Sequence, residues 1–259
     1  MLAEDIRSAG IGSTGQILRG ILKRDEDWRT KAAYHARAPM AVQRLITKRL
    51  GKRVFTDINH TRKAISIHIP KNAGTSIRTE LGFHKGAHLP IARFAAEDPD
   101  ATRRYYKFAI VRNPWDRLQS SFSYLRRHNV GGDFPDAIYT DRYLRKFADF
   151  EQFVLSLAED NAKRDLLDFT HMLPQSYWIT LPGESRHCMN YIGRFENLGS
   201  AFDDLATHFH HKGQLPQLNR SKPRDYRTLY TDRMRDIVAE IYASDIRAFD
   251  YTFDPAEAA

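Results

Sequence analysis

The sequence predicts an α/β protein with a central parallel β-sheet flanked by helices, and three stretches carry that prediction. Ile65, Ile67 and Ile69 alternate with small or polar residues, the period of a half-buried strand, and lead through a short loop into a helix bearing Ile77 and Leu81. Tyr106–Val111 is a nearly continuous apolar run, the pattern of a strand buried on both faces, and it too leads straight into a helix start. Met189–Phe195 is a third strand, followed by Leu198, Phe202, Leu205 and Phe209 at helical spacing. Strands alternating with helical patterns build parallel sheets, because a parallel neighbour needs a crossover connection.

In chain order, residues 1–60 read as a basic, mainly helical extension packed on or reaching from the core, and residues 61–259 as a single α/β domain. Gly10, Gly12 and Gly15 loosen the start; Ile17, Leu18, Ile21 and Leu22 recur at helical spacing, and a second helix runs over Met40–Leu50. Pro70 ends the first strand because it has no N–H to donate. Gly74 permits a tight turn, and the hydroxyls of Thr75 and Ser76 suit a helix start. A polar stretch then runs to Asp100. Asn113 is a good N-cap and Pro114 a good first helical residue. That helix puts Trp115, Leu118, Phe122 and Leu125 on an apolar side and Asp116, Arg117, Ser120 and Tyr124 on a polar one. Phe150, Phe153, Val154 and Leu157 mark an amphipathic helix, Asp165–Phe169 a helical turn, and Pro182-Gly183 a turn. Thr231 or Asp232 caps a last helix bearing Met234, Ile237, Val238, Ile241 and Phe249.

Composition narrows the function classes. Hydrophobic residues make up 42% of the 259, enough for a sizeable core, so the chain is not a disordered one. The formal net charge of +8 suits a polyanionic ligand or substrate. The charges read as scattered, with short clusters at Lys48–Arg53, Arg103–Lys107 and Arg126–His128, and form neither a stripe nor a module of the nucleic-acid-binding kind. Cys188 is the only cysteine, which rules out an intramolecular disulfide. No run approaches the ~20 apolar residues of a membrane span, and the first residues lack the apolar run expected of a signal peptide; a cytoplasmic protein is expected.

The loop Pro70-Lys71-Asn72-Ala73-Gly74-Thr75-Ser76 sits between a strand and a helix, where unpaired amides and the positive end of the helix dipole favour an anion. It lacks the second glycine and the directly following lysine of the nucleotide-triphosphatase loop. It resembles instead the 5′-phosphosulfate loop of sulfotransferases that use 3′-phosphoadenosine 5′-phosphosulfate. In those enzymes an arginine at a strand end and a serine eight positions later bind the cofactor's 3′-phosphate; Arg112 and Ser120 have that spacing. Independently of the resemblance, a strand-end guanidinium grips a phosphate as a fork and a helix hydroxyl adds one donor. The His171-x-x-Pro174-Gln175 run, the Arg194-Phe195-Glu196-Asn197-Leu198 run and the Tyr242–Tyr251 ending look like the carbohydrate-modifying, family 2-like branch. The resemblance covers roughly Lys63 to Phe253 and implies a three-layer fold like that of P-loop nucleotide triphosphatases. Golgi members carry a membrane anchor and several cysteines, so a soluble bacterial-type member is the expected match.

The resemblance also implies roles. Lys71 neutralises the bridging oxygen between sulfur and the 5′-phosphate, while Asn72, Ala73, Gly74, Thr75 and Ser76 hold that phosphate. The acceptor is a hydroxyl of a carbohydrate or glycolipid, too weak an acid to ionise alone, so a histidine base is expected. Gly86-Ala87-His88-Leu89 is similar to the segment carrying that base in uronosyl-type relatives: His88 is the first candidate and His84 the second. His68 is read as packed in the strand, and Glu196 as paired with a nearby arginine. His84, His171 and Gln175 are candidate acceptor contacts, and by family analogy Arg220, Ser221 and Lys222 touch the 3′-phosphate or adenine. The sulfuryl group carries less charge than a terminal phosphoryl group, so no metal is expected. No nucleic-acid partner is expected, a peripheral membrane contact stays open, and the oligomeric state is not encoded. Two alternatives stand beside this reading: a nucleotide-dependent kinase with a related loop, and a non-enzymatic binder of acidic glycan or nucleic acid.

Overall fold

A computed structural model describes residues 35–51, 53–83, 88–128, 135–215 and 225–254. Three strands, β1 (Ala64–Ile67), β2 (Tyr106–Val111) and β3 (Tyr191–Arg194), form one sheet in that order. Both pairings are parallel, with Ile67 beside Ala109 and Val111 beside Arg194. Before the sheet come α1 (Met40–Leu50) and α2 (Asp57–Arg62); between β1 and β2 lie α3 (Gly74–Glu80), α4 (Ile91–Glu97) and α5 (Pro99–Arg104). Between β2 and β3 lie α6 (Pro114–His128), α7 (Pro135–Tyr139, continued by a π-helical turn), α8 (Phe150–Ser156), α9 (Asp160–Leu166) and α10 (Gln175–Ile179). After β3 come α11 (Leu198–His208), α12 (Asp232–Ile241) and α13 (Ala243–Phe249).

The sheet is covered on both faces, which gives the expected three layers. Ile65, Ile67, Ala109 and Val111 pack with Ile91, Phe94 and Trp178 on one side. Ala64, Phe108 and Ile110 pack with Ile77, Leu81, Phe202 and Leu205 on the other. The alternation is that of the pleat. It also corrects the expectation for β1, which is buried along its whole length rather than on one face. Ala64 and Ser66 are small enough for helices to close over the second face, so the alternating pattern records side-chain size there and not solvent. Gly193 serves the same end, since a Cβ at that position would lie 2.7 Å from Ala201 Cβ and from Ile110 Cδ1.

Three further differences from the sequence reading have local causes. The stretch through Asp100 holds α4 and the start of α5. α4 buries Ile91 through Ala96 on nearly every side, so it shows no amphipathic period. The turn expected over residues 165–169 begins earlier, as α9. The last helix is two, α12 and α13, broken at Tyr242. Thr231 caps α12, as one of the two expected residues. α1 forms where expected and packs on α4, with Val42 and Ile46 buried. Residues 1–34, including the candidate helix at Ile17–Leu22, lie outside the described residues. Among the described residues no helix is long and apolar enough to cross a membrane.

Candidate functional site

All three strands point their C-terminal ends the same way, and the site is assembled where they end. In open α/β sheets ligands bind at that edge. After β1 the chain passes Pro70 and enters a turn in which Lys71 (φ 70°) and Ala73 (φ 51°) are both left-handed. For residues with a Cβ this conformation costs of order 1–3 kcal/mol each, and such strain collects at functional sites. The turn is therefore made by Lys71 and Ala73, whereas Gly74, expected to supply it, has an ordinary φ. Gly74 is needed for space instead: a Cβ there would lie 2.9 Å from His68 Cδ2. The N-cap of α3 is Ala73, with no side-chain hydrogen bond, so Thr75 and Ser76 sit inside the first turn. The Ser76 amide donates to the Ala73 carbonyl oxygen at 3.2 Å, so it is the earlier amides of this turn that are open to a ligand.

The loop is fastened from below. Asn72 is 1% exposed, and its Nδ2 donates to the Ile110 carbonyl oxygen and to Gln175 Oε1, both at 2.7 Å. Gln175 Oε1 also accepts the Arg112 amide at 2.8 Å, and its Nε2 donates to the Arg112 carbonyl oxygen at 2.8 Å. One buried carboxamide thus locks the tips of β1 and β2 together. Asp245 on α13 holds Gln175 in turn, accepting the backbone amides of Gln175 and Ser176 at 2.6 and 2.8 Å. Gln175 is 0% exposed, so the expected acceptor contact is corrected to a positioning role. Gln175→Ala would strand the buried amide and carbonyl of Arg112. At about 1–3 kcal/mol for each lost partner, a loss near 3 kcal/mol is expected. In circular dichroism melts that corresponds to a fall of roughly 6–12 °C. An unchanged melting temperature would refute the locking role.

Arg112 and Lys71 meet above this lock. Arg112 Nη1 donates to the Lys71 carbonyl oxygen at 3.0 Å, and Nε bonds Asp116 Oδ2 at 2.7 Å. The guanidinium carbon stacks 4.0 Å from the centre of the Phe195 ring, just past β3. No partner among the described residues takes Nη2. Lys71 Nζ lies 4.1 Å from the centre of the Tyr124 ring. Asp116, Ser120 and Tyr124 are successive i,i+4 neighbours on α6, and the outer two touch Arg112 and Lys71. Ser120, part-buried between them, therefore faces the same gap. Burial first, then the charges of Arg112 and Arg127, bring the Lys71 ammonium down to about 8. The site carries more positive charge than Asp116 and Asp136 balance, which is the electrostatic signature of an anion site.

Beside the loop lies a histidine cluster. His88 Nδ1 is 2.8 Å from the His68 carbonyl oxygen. That oxygen can only accept, so Nδ1 carries the hydrogen and Nε2 keeps its lone pair. The His68 ring, just beyond β1 rather than within it, lies 4.2 Å away at a tilt of 37°; His171 lies at 5.9 Å and Trp178 at 6.1 Å. Burial lowers His88 to about 4, and burial with the neighbouring His88 lowers His68 to about 2. Both rings are neutral at pH 7. His171 is 7% exposed, and its Nε2 is 3.4 Å from Asp136 Oδ2 while Nδ1 has no partner among the described residues. Burial alone would raise the Asp136 carboxyl, but bonds to His171 and Tyr124 outweigh it and hold it below the usual carboxylate range.

The geometry thus brings together Lys71–Ser76, Arg112, Ser120, His88 and His171. His84, Arg220, Ser221 and Lys222 lie outside the described residues. Two other readings are corrected. Glu196 pairs with no arginine among the described residues; its carboxylate accepts the Asn113 amide at 2.7 Å and the Tyr251 hydroxyl at 3.0 Å. Arg117 is 2% exposed and leaves the polar face of α6, donating to the carbonyls of Pro70 and Leu173. Sequence reasoning missed Asp136 and Trp178, which lie in no motif and reach the site only through the fold, and gave no role to Asp245 within the Tyr242–Tyr251 ending. Tyr124 had a usable signal, its i+4 spacing from Ser120.

A family model described as the sulfotransferase family, its family 2 branch, matches residues 55–252. No curated protein and no solved structure matches the chain. The matched span starts just before α2, ends after α13 and contains every strand and loop that builds the site. By that match over most of its length, the chain belongs to the sulfotransferase family.

Proposed function

We propose that the protein moves a sulfuryl group from 3′-phosphoadenosine 5′-phosphosulfate to a hydroxyl of a carbohydrate or glycolipid. The observation that carries this reading is the joining of the two strand tips: Arg112 bonds the Lys71 carbonyl oxygen, and Gln175 locks both segments from beneath. A doubly phosphorylated nucleotide matches that pair of cationic ends. The donor, when bound, supplies the activated sulfuryl group; the chain supplies position and charge. The amides at the start of α3, with Thr75 and Ser76, hold the 5′-phosphate, and Arg112 with Ser120 holds the 3′-phosphate. Lys71 keeps a positive charge where the leaving oxygen gains a negative one. His88 Nε2 takes the acceptor's proton, its ring oriented by the Nδ1 bond to His68.

The test begins with binding. Adenosine 3′,5′-bisphosphate is expected to bind roughly 10–100-fold tighter than AMP, the worth of a charge-assisted hydrogen bond at about 1.5–3 kcal/mol. It should raise the melting temperature accordingly; equal effects of the two nucleotides would refute the 3′-phosphate reading. Above pH 8 binding should also take up protons, because a bound phosphate restores the Lys71 ammonium that burial has lowered to about 8. Calorimetry in buffers of different ionisation heat reads that uptake directly. Transfer of labelled sulfate to lipid-linked and polymeric glycans then identifies the acceptor.

A further inference from the structure

We propose that the outer face of α1 docks the protein on an anionic phospholipid membrane. Residues 28–56 contain eight Lys and Arg and not one Asp or Glu, so this segment alone accounts for the chain's net charge of +8. The remainder of the chain is close to neutral, which sets aside the impression of scattered basic charge. Within the described part of the segment, Arg37, Arg44, Lys48, Arg49 and Arg53 are all exposed. None of their side chains has an ion pair or hydrogen bond with another described residue. Glu97, a carboxylate on the helix beneath, is taken by the Val54 amide.

The arrangement is one-sided. Arg44, Leu45, Lys48 and Arg49 fall within an arc of roughly 140° on the helix. Val42, Gln43, Ile46 and Thr47 occupy the opposite side and are buried. With its apolar side committed to α4, α1 cannot roll into a bilayer, so its contact is electrostatic and shallow. Lys48 and Arg49 also favour the helix C-terminus through its dipole, but that role leaves Arg37, Arg44 and Arg53 unexplained.

What selects a membrane over a soluble polyanion is Leu45. It is 41% exposed in the middle of the basic stripe, and among the described residues only Leu155 is another exposed large hydrophobic. A sulfated or phosphorylated polymer gains nothing from it, whereas a leucine flanked by cations reaches the acyl boundary while they contact headgroups. The same acid-free segment contains Trp28 and Tyr34, residue types that favour the membrane interface. This inference rests on charge and exposure and is independent of the proposed sulfuryl transfer.

The experiment is sedimentation of the full chain with vesicles of phosphatidylcholine alone and of equal parts phosphatidylcholine and phosphatidylglycerol. Binding is expected only with the anionic vesicles, and it should weaken steeply as salt rises. At about fivefold per basic residue, Arg44→Gln, Lys48→Gln and Arg49→Gln together should cut partitioning ~10²-fold. These exposed positions should leave the melting temperature and adenosine 3′,5′-bisphosphate binding unchanged. Leu45→Ser should weaken vesicle binding but not binding to dextran sulfate. No vesicle binding, equal binding to both vesicle types, or a Leu45→Ser variant that binds vesicles like the parent would overturn the proposal. In the last case, tight binding to dextran sulfate would assign the face to a soluble polyanion.

Discussion

Replacing Lys71 by alanine is expected to lower the rate of sulfuryl transfer by roughly 10²–10³-fold while leaving adenosine 3′,5′-bisphosphate bound, since a donor aimed at developing charge is worth about 3–4 kcal/mol. The split follows from the geometry. The loop backbone is held by Asn72, and Arg112 keeps its bonds to Asp116 and to the residue 71 carbonyl, so the nucleotide grip outlasts the loss of the ammonium. Single-turnover rates and nucleotide titrations measure the two halves separately, and a variant that turns over like the parent would end the assignment. The pH dependence has a definite sign. Lys71 must be protonated to act, so kcat/KM for the donor should fall as pH rises through about 8. The contribution of Lys71 to stability should move the other way. Between about 8 and 10.5 the unfolded chain holds the Lys71 proton that the folded one has released, so this group favours folding more as pH rises. Melting temperatures measured over the same range separate loss of activity from unfolding.

His88→Ala is the second large effect, an expected fall in turnover of ~10²–10⁴-fold, the usual worth of a positioned general base. Nucleotide affinity should hardly change, because His88 is fastened to the His68 carbonyl and not to the phosphate-holding groups. In the parent protein the acid limb of kcat/KM for the donor should fall near pH 4, where the ring protonates and Nε2 loses its lone pair. Folding stability should decline as pH drops from 6.5 towards 4, because the unfolded chain takes up a proton that the buried ring refuses. An unchanged turnover number in the alanine variant would remove His88 as the base and leave the strand-tip reading intact.

Much of this site was legible as residue types at fixed spacing. Lys71 follows a strand, Arg112 follows another, and Ser120 lies eight residues further on; such local order survives in a sequence because strand, loop and helix are set by near neighbours. Asp116, Ser120 and Tyr124 were readable as one helix face for the same reason. Asp136 and Trp178 were not, since each meets the histidine cluster through tertiary packing alone. Gln175 shows a subtler failure. Its place in a motif suggested contact with a ligand, but only burial could show that its amide is consumed by Asn72 and Arg112. Gly74 and β1 were misread in kind, because small residues mark both tight turns and close packing.

By itself the sequence determined the order of the three strands, the parallel sheet, the place of the loop after β1 proposed to hold an anion, and the family. These depend on periodicity and on short motifs, which act over a few residues. Only the tertiary structure decided that the β1 and β2 tips share one buried carboxamide, that His88 presents Nε2, and that the basic residues of α1 face outward together. Those facts depend on which groups distant in the chain are brought within hydrogen-bonding reach and which are left in water.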